Sequence, residues 1–166
     1  MRLDSIRFRP VLHLLAIAGA VMLAFLVYAP PASAGDVDFG VRGGAYSDED
    51  QAFLGGEVLF GMDSDQRWYG NPNVEHVFLD TGGLTTYSFD FHYDFTHGSP
   101  YTIWAGGGPT LIRRNFDVPD TLNTTEAGVN LLVGVGATQG KVRPYGQFKV
   151  IVADDTEAVA GVGIRF

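Results

Sequence analysis

Cysteine is absent from the 166-residue chain, so no disulfide staples it and no lipid can be attached through a processed N-terminal cysteine. Lysine is nearly absent as well. Lys141 and Lys149 are the only two, while Arg2, Arg7 and Arg9 crowd into the first ten residues. With a formal net charge of −8 there is no basic patch to attract nucleic acid. Sustained helical spacing is missing from Gly35 onward. Glycine, by contrast, is plentiful at 22 residues and recurs inside apolar runs such as Ala105-Gly106-Gly107-Gly108. Each interior glycine costs a helix about 1 kcal/mol relative to alanine. In a strand it marks a bend or a close backbone approach, and a small closed barrel needs both.

The opening reads as an address. Met1 to Pro10 carries three arginines and one acid, Val11 to Tyr28 is apolar but for His13, and Ala32-Ser33-Ala34 follows two prolines. Basic start, apolar middle and small-x-small site make a secretory signal cleaved after Ala34; the apolar run is near the lower limit for a spanning helix. The domain expected after cleavage is Gly35 to Phe166, 132 residues with a net charge of −10.

Within that domain residues alternate. Tyr87, Phe89, Phe91, Tyr93 and Phe95 share one parity of Thr85 to Phe95, and Ser88, Asp90, His92 and Asp94 share the other. A strand sends these sets to opposite faces. The pattern recurs in Asp36 to Tyr46, Gln51 to Met62, Thr124 to Ala137, Val142 to Val152 and the final segment ending at Phe166. Phe53 and Leu59 blur the polar face of the second of these. Two further strands have mixed faces, Asn73 to Asp80 and Tyr101 to Arg113. Eight strands of roughly ten residues with short turns fit the length available. The expected fold is all-β, an eight-stranded antiparallel up-and-down barrel.

The polar faces decide the solvent. They mix Asp38, Arg42, Glu57, Asp90, Asp94, Glu126, Arg143, Lys149 and Arg165 with glycines rather than with the flexible lysines of a soluble surface. Small residues and opposite charges suit a narrow interior, and the bulky aromatic set suits a lipid-facing band. The reading is therefore a transmembrane barrel, with a soluble ligand-binding barrel as the contrary case.

Three segments resemble the small bacterial outer-membrane β-barrels of the OmpA and OmpX type. Gly161-Val162-Gly163-Ile164-Arg165-Phe166 is similar to their terminal signal, Arg143 to Lys149 to an Arg-Pro-Tyr strand opening, and Tyr87 to Gly108 to an aromatic strand, turn, Pro-Tyr and glycine-rich strand. The resemblance implies the outer membrane of a Gram-negative-type bacterium, and recognition of Val162, Ile164 and Phe166 by the barrel-assembly machinery. Against the family pattern, Asp63 to Pro72 is long for a periplasmic turn and Thr81 to Gly83 short for an outer loop.

Candidate chemistry is sparse. His92 between Asp90 and Asp94 suggests a metal or acid–base site, but residues two apart on a strand lie about 7 Å from one another. An interior hydrogen-bond network formed with Arg42, Glu57, Glu126, Arg143, Lys149 and Arg165 is the plainer expectation, since buried charges persist when paired. Arg42, Arg143, Lys149 and Arg165 are expected to pair with Asp90, Asp94, Glu57 and Glu126. Ser88, four residues from His92, is about 13 Å away along the strand, too far for a nucleophile and its base. No cofactor is expected. With the N-terminus periplasmic, Asp48, Glu49, Asp50, Asp117, Asp120, Asp154, Asp155 and Glu157 project outward, either as a solvated acidic rim or as sites for Ca²⁺ or Mg²⁺ bridging to lipopolysaccharide. A structural or surface-interaction role among outer-membrane lipid and lipopolysaccharide follows. A lipid-modifying enzyme and a narrow porin-like channel are the alternatives, and no surface ligand is legible.

Overall fold

The structure, a computed structural model, describes residues 37–47, 51–79, 82–96, 98–116 and 123–166. The expected signal, Met1 to Ala34, lies outside them, as do Asp36, Asp48 to Asp50, Asp80, Thr81, His97, Asp117 and Asp120. Eight strands follow in order: β1 (Val37–Tyr46), β2 (Gln51–Gly61), β3 (Trp68–Leu79), β4 (Gly82–Asp94), β5 (Tyr101–Phe116), β6 (Thr124–Ala137), β7 (Arg143–Val152) and β8 (Thr156–Arg165). Each pairs antiparallel with the next, and β8 returns to β1, closing the barrel. Closure leaves no sheet edge running the length of the molecule, which is the condition for a sheet to cross hydrocarbon.

The third strand corrects the sequence reading. It starts at Trp68, five residues before Asn73, so its connection to β2 is the short turn Met62 to Arg67 and no long loop exists there. Pro72 conceals the start because a proline lacks the N–H that a central strand donates. The β2–β3 ladder lapses between Glu57↔Asn73 and Phe60↔Gly70, and Asn71 Nδ2 donates to the Val58 carbonyl at 3.1 Å in its stead. Beside it the Phe60 ring covers Gly70, filling the space a side chain would take.

The register sets the tilt. Paired partners lead from Val135 through Gly146, Val162, Gly43, Leu54, His76, Thr85 and Arg113 to Thr125, ten residues further along the same strand. A stagger of this size inclines barrel strands by roughly 35–45°. All nine positions face outward, and they change from apolar to polar between Leu54 and His76. One row of neighbours therefore crosses the apolar belt from end to end.

That belt is a membrane surface. Leu131 is 60 % exposed and Val162 69 %, while Asp90, Glu75 and Lys149 are all but inaccessible. Around the end that holds the chain terminus stand Phe39, Phe60, Trp68, Tyr93, Phe95, Tyr101 and Phe166, an aromatic girdle of the kind that marks a lipid–water boundary.

Candidate functional site: a filled interior beneath a polar rim

The interior has three layers. Nearest the terminal end, His92 stacks between Tyr69 and Trp104, with ring centroids 5.4 and 5.6 Å away. The Arg165 guanidinium lies over Trp104 at 5.1 Å and over Tyr145 at 4.3 Å, positions of cation–π attraction. Gly134 makes room for this stack, since a Cβ there would overlap the Trp104 indole. His92 Nε2 comes within 3.4 Å of Asp94 Oδ1, and Arg143 pairs with Asp38.

Charge fills the middle. Glu57 accepts from Arg165 Nε at 2.7 Å and Asn71 Nδ2 at 3.1 Å, with Arg42 3.5 Å away. Glu75 meets Arg42 at 2.7 Å and Lys149 Nζ at 2.7 Å, and also accepts from the Tyr46 hydroxyl. Asp90 accepts from two amides instead of a cation, Asn73 Nδ2 and Asn130 Nδ2, each at 2.9 Å. Arg42 also donates to Asn73, which links the carboxylates through one network.

Above it sits an apolar layer of Tyr46, Phe53, Val77, Leu84, Ile112, Ile151 and Val159. These face inward, an apolar layer in a lumen expected to hold charge and glycine, and Phe53 among them is one of the two residues that blur the polar face of β2. A cleft of about 220 Å³ opens at the far mouth, with Ile112, Ile151 and Ala153 beneath Arg114, Glu126, Asp155 and Glu157.

An apolar exterior around a polar interior inverts the arrangement of a soluble protein. Solved structures carry the same architecture. Neisserial surface protein A aligns with a TM-score of 0.58 at 15% identity, covering 78% of this chain and 94% of that one. Ail, the attachment invasion locus protein of Yersinia pestis, aligns with a TM-score of 0.54 at 11% identity, covering 79% of this chain and 97% of its own. A second Ail structure, in complex with the heparin analogue sucrose octasulfate, aligns with a TM-score of 0.50.

The chain has the fold of a small outer-membrane β-barrel.

No family model matches its sequence, and neither does any curated protein. The apolar belt and the closed sheet place the barrel in the outer membrane.

The barrel brings Arg42, Glu57, Asp90, Lys149 and Arg165 together in one network, in which Glu57 meets Arg42 and Arg165 as expected, while Lys149 pairs with Glu75 and Asp90 takes amides in place of a cation. Glu75, buried on β3, is the carboxylate that alternation missed, because the inward Asn73 and Glu75 share their parity with Val77 and Leu79 while His76 stands outward with Val74 and Phe78. Arg143 sits at the terminal-end mouth on Asp38, and His92 and Asp94 belong to the aromatic stack. Glu126 lines the far mouth, apart from the network. Ser88 bonds Thr110 at 2.9 Å, so it and His92 are not a pair. Among the described residues no three histidines or carboxylates converge to hold a metal ion. At the C-terminal seam, Val162 is exposed outward between Gly43 and Gly146, Ile164 pairs with Val41 and Pro144, and Phe166 N donates to the Phe39 carbonyl at 2.9 Å.

Proposed function

We propose that the protein is a non-conducting, non-enzymatic barrel of the outer membrane that acts through the surface it presents. The termini lie in the periplasm, and the far rim faces out. The observation that carries this reading is the filled interior. The stack, the charge network and the apolar layer succeed one another along the axis, and an eight-stranded barrel is just wide enough for side chains to fill. Phe53, Leu84, Ile112 and Ile151, all buried, set apolar side chains across that axis.

The ion pairs serve stability in this reading. A charge left alone in such an interior is costly, and each cation of the middle layer has a carboxylate within 3.5 Å. Val162, Ile164 and Phe166 present the alternating apolar end that the barrel-assembly machinery reads during insertion. Lipid and lipopolysaccharide are the partners of the assembled protein. Ail has been captured with a heparin analogue, but the far rim here carries Glu126, Asp154, Asp155 and Glu157 against Arg113 and Arg114. That balance favours a partner other than a polyanion in solution.

The test is planar-bilayer recording on refolded protein whose unboiled gel band runs ahead of the boiled one. Absence of discrete conductance steps at physiological salt supports the reading. Steps abolished by Glu75→Gln would replace it with the narrow channel.

A further inference from the structure

We infer that the outward face at the far end of β3 to β6 binds the phosphate of an outer-leaflet glycolipid, with Arg113 as the recognising residue. The inference rests on the orientation and membrane location above and goes beyond them by assigning a lipid to named side chains. His76, Thr85, Arg113 and Thr125 are consecutive partners across four strands and form the polar end of the row that traverses the belt. All four point away from the lumen. Immediately below them on the same face lie Val74, Tyr87 and Leu111, each exposed. A ligand seated here meets apolar side chains on its membrane side and hydroxyls, an imidazole and a guanidinium on its water side.

Charge selects the ligand. Of the seven other described cations, Arg42, Arg143, Lys149 and Arg165 meet a carboxylate within ion-pair distance, Arg67 bonds the Tyr93 hydroxyl, Arg114 lines the far mouth, and Lys141 lies in a connection at the opposite end. Arg113 points into the surroundings and has no carboxylate partner among the described residues. Its Nε donates to Asn115 Oδ1 at 3.2 Å, which leaves the terminal nitrogens of the guanidinium to meet a ligand. Thr85 Oγ1 is held 2.9 Å from His76 Nδ1. A guanidinium beside hydroxyls matches a phosphate monoester, which accepts two parallel hydrogen bonds from arginine. A free anion has no use for the apolar ledge beneath, so a phosphorylated, multiply acylated sugar lipid is the occupant the surface fits.

The experiment is native mass spectrometry of the refolded full barrel in detergent, titrated with bisphosphorylated lipid A and with the same lipid after phosphate removal. The unsubstituted protein is expected to retain the phosphorylated lipid preferentially. Arg113→Gln should weaken retention about fivefold, the effect of removing one basic contact at an anionic membrane surface. Arg113→Lys should restore part of it, and Lys141→Gln in the opposite connection should change nothing. Equal retention of both lipids, an equal loss in Lys141→Gln, or equal retention of phosphatidylglycerol would each overturn the assignment. Each variant is first checked for the gel shift of the folded barrel. A preserved shift with unchanged lipid retention removes this inference while leaving the non-conducting barrel in place.

Discussion

Glu75 ties three other strands together, touching Arg42 and Tyr46 on β1, Thr86 on β4 and Lys149 on β7. Glu75→Gln leaves two buried cations short of a counter-charge and is expected to cost about 3 kcal/mol of unfolding free energy, measured by urea titration in lipid vesicles. Glu126→Gln at the mouth should stay within about 0.5 kcal/mol in the same assay, as surface substitutions usually do. Outside the membrane, Asp63 caps the β2–β3 turn. Its carboxylate accepts from Trp68 N at 3.0 Å and Arg67 N at 2.9 Å, and these backbone donors, Trp68 first, hold it below the ordinary 3.8. A depressed folded-state value means that the turn is fully supported above the ordinary value and loses that support as pH falls through the lowered one. The Trp68 amide resonance in micelles should therefore titrate with a midpoint below 3.8. A midpoint at or above it, or an unchanged titration in Asp63→Asn, would remove the cap from the account.

At the scale of elements, β5 and β6 show why both faces of a strand have to be read against their neighbours. Trp104 on β5 occupies the space left by Gly134 on β6, and the two are register partners. Gly134→Ala should push the indole off His92 and Arg165, costing roughly 1–3 kcal/mol by overpacking. Tryptophan fluorescence should shift along with the unfolding midpoint. Alternation located both strands, yet β5 was unassignable in sequence because Ile112 and Trp104 face inward while Ile103 and Leu111 face lipid. In a barrel whose lumen has an apolar layer, period two no longer sorts apolar from polar. Phe53, Leu59, Ile151 and Val159 are the same case on three other strands.

For the molecule as a whole, lipid is the solvent of the exterior, and this can be tested at one residue. Leu131 is on the outer face near the middle of β6, and Leu131→Arg should cost about 2–4 kcal/mol in bilayers, as arginine does at the midplane of a membrane barrel. In a soluble barrel an exposed leucine tolerates the exchange, so a cost below about 0.5 kcal/mol in the same vesicles would argue for water outside.

The sequence by itself determined the architecture: the strand count, the direction of the apolar face and the membrane as surroundings. Each follows from local alternation and from composition, and both act over a few residues at a time. Tertiary structure alone decided which charges meet. Glu75 and Lys149 are separated by most of the barrel's length in sequence, and Arg165 and Glu57 by more than half the chain. Their pairing depends on a ten-residue stagger that no single strand encodes. It likewise decided that apolar side chains form a layer in the lumen and that His76, Thr85, Arg113 and Thr125 form one row, because both depend on register around a closed ring.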